Sequence, residues 1–170
     1  MPIEPIQNKI IETVFALEVQ AGHLKWSVNQ IARVAGISRS LVYYHFGKTK
    51  KDIVLECLEQ IACEFYGLTD ERKALSQVES LKLSHRMYKN NPAYATFYQK
   101  WRHRPSAIRD KYLDLEKRYD EKLAKAYPIA SSAQRDALHG FFHGIATAPF
   151  VNDKAIVEAI KLLKIGELIA

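Results

Sequence analysis

Apolar residues recur at spacings of three and four along the whole chain, and this period constrains the fold more than any other feature. An α-helix of 3.6 residues per turn brings such positions onto one face, whereas a half-buried strand requires strict alternation. No run of alternating β-branched residues exceeds a few positions. The sequence therefore predicts an all-α protein without strands.

Turn signals and prolines divide this helical pattern into segments. A first helix ends near Gly22, where a positive φ suits a helix C-terminus, and a longer helix follows over 52–65. A change in composition near Gly67 indicates a joint between two parts of the chain. Beyond it, breaks that mostly fall at prolines predict helices over 70–89, 92–103, 106–127, 131–148 and 152–169.

The charge of the chain is unevenly distributed. Its 170 residues suffice for one core or two closely joined small ones, and they include 25 Lys and Arg against 19 Asp and Glu, a net charge of +6. Between Glu18 and Asp52 there is no acidic residue, whereas six residues are Lys or Arg. This basic window predicts a surface that meets an anionic partner, and nucleic acid is the leading candidate.

The basic window contains two short helices joined by a tight turn. Ser27 can cap the first helix, and Gln30 three residues later completes a capping box. After the turn Ala35-Gly36-Ile37, Ser38 can cap a second helix that runs to Phe46. Two such helices form a helix-turn-helix candidate, which holds one helix where it can enter a DNA major groove about 12 Å wide.

Hydrogen-bond donors lie together on the outer face of the second predicted helix. Arg39, Ser40, Tyr44 and His45 can all donate to phosphates or to base edges. A glycine-bounded helix pair with basic surface residues also occurs in small helical domains of other function. Spacing alone therefore leaves both interpretations open.

The order of residues through this segment carries a resemblance. It has Gly22, four residues, Ser27-Val28, two residues, Ile31-Ala32, then Ala35-Gly36-Ile37-Ser38 and finally Leu41-Val42-Tyr43-Tyr44-His45-Phe46. This pattern resembles the N-terminal DNA-binding domain of the tetracycline-repressor (TetR) family of bacterial transcriptional regulators. The specific match ends near residue 50, and the rest of the chain is similar only as an all-helical pattern of suitable length.

The resemblance implies roles for individual residues on double-stranded DNA. Ser27 would cap its helix and touch a phosphate, and Asn29 would reach a base. Arg39 is the best candidate for a bidentate contact to guanine. The remaining implied contacts are those of Ser40 and Leu41 to bases, of Tyr43, Tyr44 and His45 to the DNA backbone, and of Lys50 to a phosphate.

Two departures from the family pattern affect these expectations. Three residues, Gly47-Lys48-Thr49, separate Phe46 from Lys50 where the family usually has two, so Lys48 and Lys51 are alternatives to Lys50. Glu18 stands where the family favours Phe, and we expect Phe15 to fill the missing volume from the next turn.

The resemblance also implies a division into a DNA-binding domain (1–50), a connecting helix (51–66) and a ligand-binding and dimerisation domain (67–170). The aromatic density of the last part predicts a cavity for a small apolar or aromatic effector. Aromatic residues at helical spacing also fill solid cores, and His85 suits a core position as well as a ligand contact. The candidate ligand-binding residues are Phe65, His85, Tyr88, Tyr94, Phe97, Tyr98, Trp101 and Phe141.

The last two predicted helices are the candidates for dimerisation. Gly140 and Gly144 lie one turn apart on the helix over 131–148 and permit close helix approach, and the helix over 152–169 is apolar around much of its circumference. A homodimer through these two helices would form a four-helix bundle, and its two-fold symmetry would match a palindromic operator.

Other chemistries have little support in the sequence. It shows no metal-ligand spacing, no paired carboxylates and no nucleophile beside an evident base, so we expect no catalytic residue, no enzyme activity, no metal and no cofactor. It also lacks the roughly 18 consecutive apolar residues of a membrane span and the pattern of a secretion signal. We therefore expect a cytoplasmic protein without membrane contact. Cys57 and Cys63 suit buried apolar positions, with redox sensing as the alternative.

These features together favour a transcriptional regulator. The leading hypothesis is a repressor that a small-molecule effector releases from a palindromic operator. One alternative is a regulator of the same family whose aromatic residues fill a solid core, without a small-molecule effector or under the control of a protein partner. Another is a helical module that binds only proteins.

Overall fold

The computed structural model describes residues 4–128 and 130–167, and these residues form α-helices and no strands, which confirms the all-α prediction. Residues 168 and 169, the end of the last predicted helix, lie outside the described residues. The helices are α1 (Pro5–Gln20), α2 (Val28–Ala35), α3 (Arg39–Phe46), α4 (Lys50–Phe65), α5 (Asp70–Lys73), α6 (Gln77–Asn90), α7 (Pro92–Trp101), α8 (Ala107–Ala126), α9 (Ser132–Thr147) and α10 (Asp153–Glu167).

One predicted helix is wrong: the continuous helix over 70–89 is two helices, α5 and α6. The Ser76 hydroxyl accepts a hydrogen bond from the Glu79 amide, and the Glu79 carboxylate accepts one from the Ser76 amide, each at 3.2 Å. This capping box satisfies backbone donors at the start of α6 and therefore favours a new helix there. Leu75, which one long helix would have turned inward, lies in the break and is exposed.

A single connected core runs through both halves of the chain. Its buried side chains extend from Ile10 on α1 to Ile160 on α10. Phe15 on α1 packs against Phe97 and Tyr94 on α7, with ring centroids 4.8 and 5.5 Å apart. Apolar packing therefore anchors the N-terminal helices on the C-terminal helices. A shift of α7 would displace side chains that pack on α1.

Ion pairs tie α4 to α8. Glu59 on α4 lies 2.6 Å from both Lys111 and Arg118 on α8. Burial alone would raise the pKa of Glu59, but the hydrogen bonds from Lys111 and Arg118 outweigh it and lower the pKa to about 2. The long helix that leaves the helix-turn-helix is thus held on two sides, by the core and by this charge cluster.

Both cysteines are free, Cys57 buried and Cys63 half-buried. Burial raises the pKa of the Cys63 thiol to about 12, and its hydrogen bond to Glu59 acts in the same direction. Such a thiol carries little thiolate at neutral pH, which favours the structural interpretation of these residues.

Within the part of the chain that the structure describes, no helix is long and apolar enough to cross a membrane.

Candidate nucleic-acid interface

The helix-turn-helix is set by local hydrogen bonds at its three junctions. The Ser27 hydroxyl accepts from the Gln30 amide at 3.2 Å while the Gln30 side chain accepts from the Ser27 amide at 2.6 Å, so the predicted capping box is present. Gly36 ends α2 in the left-handed conformation, with φ of 67°. The Ser38 hydroxyl accepts from the Leu41 amide at 3.2 Å and starts α3. These bonds fix where α3 begins and hence which residues it presents.

Helix α3 is divided cleanly into an inner and an outer side. Val42 and Phe46 are buried in the core, whereas Arg39 and Ser40 are exposed and Tyr44 is 82% exposed. Ser27 and Asn29, at the start of α2, are exposed as well. Leu41, Tyr43 and His45 are half-buried. Of the predicted base-reading residues, Arg39 and Ser40 thus lie at the exposed N-terminal turn of α3, and Asn29 lies on α2.

Three contacts hold the outer side chains of α3. The hydroxyls of Ser38 and Ser40 lie 2.8 Å apart. The Arg39 guanidinium lies 6.0 Å from the centroid of the Tyr43 ring. Gln7 Nε2 on α1 lies 3.3 Å from Nδ1 of His45, which ties the end of α3 to α1. These contacts orient the side chains while leaving the guanidinium and the Tyr44 hydroxyl open to a partner.

Lys50 opens α4, but its ammonium already has a partner. Lys50 Nζ donates to the carbonyl oxygen of Leu24 at 2.9 Å and lies 5.8 Å from the Trp26 ring. This contact brings Lys50 beside the loop that precedes Ser27. An ammonium has three protons, so the same group can still reach a phosphate. Lys48 and Lys51, the alternatives, are both exposed.

Sequence reasoning missed the role of Glu18. Its side chain is fully buried, and Oε1 accepts from Trp26 Nε1 at 2.6 Å and from the Leu24 amide at 2.9 Å. Oε2 lies 2.8 Å from Nδ1 of His23. The expectation that Phe15 fills this place is wrong, because Phe15 packs on α7 instead. The sequence does contain a signal for this contact: Trp26, whose indole N–H needs an acceptor when buried, follows eight residues after Glu18, the last acidic residue before the basic window.

Glu18 and Lys50 together pin an unusual backbone conformation. Leu24 has φ of 57°, the left-handed region that non-glycine residues rarely occupy. Its amide is held by Glu18 and its carbonyl by Lys50. A strained residue of this kind persists only where its surroundings hold it. The loop into α2 is therefore positioned by two charged side chains from its neighbouring helices.

Comparison with known proteins agrees with this geometry. Residues 10–57 match the family model described as bacterial regulatory proteins, tetR family. Residues 10–57 therefore form a TetR-family DNA-binding domain. Proteins of this family are transcriptional regulators that bind DNA through a helix-turn-helix. A search of curated proteins found no match to the chain.

The fold of the whole chain is shared as well. A crystal structure of a candidate TetR-family transcriptional regulator from Rhodococcus sp. aligns with 95% of this chain and 98% of that one, with a TM-score of 0.55. At 17% sequence identity this similarity concerns the fold alone. It shows that the helices after α4 also have the architecture of this solved structure.

Downstream of the TetR-family domain, most of the predicted ligand-binding rings pack against one another. Phe65 lies 5.9 Å from Tyr88 and 6.5 Å from Tyr94, measured between ring centroids. Tyr94 contacts Tyr98, and Phe97 contacts Trp101, at 6.4 and 6.2 Å. These rings therefore form one cluster within the core.

The other two predicted ligand residues make different contacts. His85 is buried with Nδ1 3.2 Å from the carbonyl oxygen of Ala146 on α9, as expected of a core histidine. Phe141 is 36% exposed and lies beside Phe142 on α9. These contacts are with Ala146 and Phe142, which are not among the predicted ligand residues.

A small cavity lies elsewhere, between the ends of α4, α6, α8 and α9. Its volume is about 30 Å³, and Phe65 is the single predicted ligand residue among those that line it. Its lining mixes polar and apolar side chains, whereas the sequence predicts a largely apolar pocket. The residues around it are Phe65, Tyr66, Gln77, Ser80, Leu81, Ser84, Tyr119, Lys122, Leu123, Ala126, Phe142, His143 and Ala146.

Helix α9 presents an exposed face of small and apolar residues. Apart from the backbone of α9 itself, no atom of the described residues lies within 4 Å of a Cβ built on Gly140 or on Gly144, so both positions face open space in the single chain. Leu162 on α10 is 69% exposed, and Phe150 between the two helices is 85% exposed. The exposed residues on this face of α9 are Ala133, Ala137, Gly140, Phe141 and Gly144.

Proposed function

We propose that this TetR-family regulator binds a palindromic operator as a homodimer, represses transcription there, and leaves the operator when a small molecule binds its C-terminal domain. The observation that carries the proposal is the exposed N-terminal turn of α3, whose donors project from a helix that the core holds in place. In a helix-turn-helix, this turn is the part that meets base edges.

The proposal assigns functions to three parts of the chain. Residues 1–50 bind DNA, residues 51–66 form the connecting helix, and residues 67–170 bind the ligand and form the dimer. The bounds of α4, Lys50–Phe65, support the first two divisions. The shared core between α1 and α7 supports a coupling between the DNA-binding and regulatory parts.

On the operator, we assign base contacts to the start of α3 and phosphate contacts to its surroundings. Arg39 has the geometry to bind guanine through both of its terminal nitrogens. The exposed hydroxyls of Ser27 and Tyr44 suit phosphates, which fix the register of the protein but carry no sequence information. The remaining assigned contacts are those of Asn29, Ser40 and Leu41 to bases and of Tyr43, His45 and Lys50 to the backbone.

We assign dimerisation to α9 and α10, over about 131–148 and 152–169. The exposed small residues of α9 would let two copies of this helix approach closely, and Phe141 and Leu162 would supply apolar area. A two-fold dimer would present two α3 helices to half-sites about one helical turn apart, roughly 34–36 Å.

Release by an effector needs a path from the C-terminal half to α3. The His23 ring lies 4.6 Å from the ring of Trp101 at the end of α7, and His23 is joined to Glu18. A movement of α7 would therefore reach the loop into α2 directly. To lower operator affinity tenfold, the effector must favour the non-binding form by about 1.4 kcal/mol.

A second candidate function has an observation in its favour. The rings from Phe65 to Trp101 pack on one another, and the cavity beside them holds about 30 Å³, far below the roughly 150 Å³ that accommodates benzene. This packing favours a regulator that binds no aromatic effector, or one that a protein partner controls. DNA binding and dimerisation are the same in both candidates.

Selection of bound fragments from a randomised or genomic DNA pool tests the proposal. We expect enrichment of one inverted repeat, two protomers per duplex by sedimentation, and a steep decrease of affinity with salt. Enrichment of no sequence over random DNA, at low as well as moderate salt, would overturn it. The same experiment repeated with small-molecule mixtures separates the two candidates, because only the first predicts release.

A further inference from the structure

The cavity between the ends of α4, α6, α8 and α9 has a cation, Lys122, in its wall. Lys122 Nζ donates to the carbonyl oxygens of Tyr66 at 3.2 Å and of Gly67 at 3.0 Å, at the end of α4. These two bonds use two of the three ammonium protons. Among the described residues Lys122 forms no ion pair, although it is half-buried. One donor of this half-buried cation thus remains for another partner.

The missing side chain of Gly67 makes this arrangement possible. A Cβ at Gly67 would lie 2.8 Å from Lys122 Nζ and 2.9 Å from the Ser80 hydroxyl, closer than real Cβ contacts. Gly67 also has φ of 62°, which favours glycine. An ammonium and a hydroxyl therefore converge at one point on the cavity wall.

A second cation, Arg72, lies near Lys122 and is buried. Arg72 is 6% exposed and donates to the Ser84 hydroxyl at 2.8 Å and to the Ser80 carbonyl at 2.6 Å. Its acidic partner is Glu64, at a loose 3.7 Å. Burial lowers the pKa of Lys122 to about 8, and repulsion from Arg72 adds to the effect. This end of the cavity holds more positive than negative charge.

The opposite wall offers a neutral polar group and apolar surface. Burial lowers the pKa of His143 to about 4, so its ring is uncharged at neutral pH, and its buried Nε2 has no hydrogen-bond partner among the described residues. Phe65, Leu81 and Phe142 supply the apolar part of the lining. Gln77 and Ala126 at the rim are partly or fully exposed, so the cavity has a mouth.

We infer that this cavity binds the carboxylate of a small organic acid, with Lys122 as its counter-ion and Ser80 and His143 as further polar neighbours. The enclosed volume suits a carboxylate and excludes an aromatic ring, so the apolar body of the acid lies towards the mouth, along Leu81. The carboxylate site is inferred from this geometry alone. Only the effect of the bound acid on DNA binding rests on the proposed function.

Matched pairs of an acid and its amide test the binding site in the full-length native protein. Hexanoate and benzoate are compared with hexanamide and benzamide by isothermal titration calorimetry. At least one acid should bind about tenfold more tightly than its amide, a difference of about 1.4 kcal/mol that the charge alone supplies. Equal affinity within both pairs, or no heat from either acid at millimolar concentration, overturns the inference.

Substitutions of Lys122 test whether its ammonium is the charge that binds the carboxylate. Lys122→Met should abolish the preference for acid over amide, Lys122→Arg should retain part of it, and Lys125→Met, which removes an exposed lysine of the same helix, should change nothing. A Lys122→Met protein that folds and still prefers the acid contradicts the assignment. If the Lys122→Met protein fails to fold, the assignment is tested by the difference in affinity between acid and amide, measured in the Lys122→Arg protein and in the native protein.

Operator binding separates this inference from the proposed function. If the acid binds and also weakens operator binding, both the carboxylate site and the proposed function are supported. If it binds and operator affinity is unchanged, the carboxylate site stands and the effector role of this site fails. If the protein selects no operator at all, the proposed function fails while the acid–amide comparison still decides the site.

Discussion

Trp26 donates its indole N–H to the carboxylate of Glu18 at 2.6 Å, and both side chains are buried beneath the loop that leads into the helix-turn-helix. The same carboxylate oxygen holds the amide of Leu24. One acidic residue thus sets the position of α2 relative to α1. The surrounding basic window has no other acid that could replace it.

Removal of this carboxylate should destabilise the protein strongly. Glu18→Ala leaves the Trp26 indole and the Leu24 amide buried without a partner, which should lower the free energy of unfolding by about 3 kcal/mol. Urea denaturation followed by circular dichroism measures the loss. Glu12→Ala, at an exposed position of the same helix, should cost a few tenths of a kcal/mol or less; equal losses for the two variants would refute the structural role of Glu18.

The base-reading role assigned to Arg39 makes a prediction about specificity. Arg39→Ala should weaken binding to the selected operator by about 1–3 kcal/mol and relax the preference at one base position of each half-site. Binding to a set of single-base operator variants measures both effects. If Arg39→Ala weakens specific and random DNA by the same factor, Arg39 contacts only the backbone.

The Lys50→Ala variant tests a predicted phosphate contact, in contrast to the base contact predicted for Arg39. A phosphate contact carries no sequence information, so this variant should weaken binding to all duplexes alike and reduce the slope of affinity against salt by about one ion. Because Lys50 also holds the Leu24 carbonyl, its unfolding free energy is measured beside its DNA affinity. A change of base preference in Lys50→Ala would argue against the assignment.

The proposed interface predicts the behaviour of a glycine variant. The space around Gly144 is open in the single chain, so Gly144→Leu should leave the protomer folded while its side chain keeps two α9 helices apart in the dimer. Sedimentation at micromolar concentration should show a monomer. Lys117→Leu adds the same side chain at an exposed position of α8 and should remain dimeric. A dimeric Gly144→Leu protein would place the interface elsewhere.

The depressed pKa of Glu59 predicts how stability depends on pH. Since the pKa is about 2 in the folded protein and near 4.3 in an unfolded chain, the contribution of Glu59 is present above about pH 4.3 and is lost as the pH falls towards 2. The Glu59→Gln protein should therefore have a lower free energy of unfolding than the native protein at pH 7. On acidification it should lose less of that free energy than the native protein does. Urea denaturation between pH 7 and pH 3 measures this, with the exposed Glu121→Gln as the control.

The sequence could predict the elements whose causes are local. The capping box of Ser27 and Gln30 and the left-handed Gly36 lie within one turn of the chain, so their residue types suffice to indicate them. The break at Ser76 was equally local, because Glu79 three residues later is a capping-box partner. It was missed because the apolar period continues across it.

Contacts between distant segments were beyond such reasoning. Phe15 was expected to fill space near Glu18, yet its partners Tyr94 and Phe97 are on α7, and no spacing rule connects them. The aromatic residues could be predicted to lie together, but whether they enclose space depends on the packing of four helices. In the structure they pack on one another.

The sequence by itself determined the helical period, the helix-turn-helix and the exposed donors of α3, because hydrogen bonds over three or four residues and the alternation of apolar and polar faces are written into neighbouring positions. Only the tertiary structure decided that Glu18 holds Trp26 and that Lys122 meets the wall of a cavity. Those arrangements arise when helices far apart in sequence bury charged groups together, and the partners of a buried charge are set by which helices pack around it.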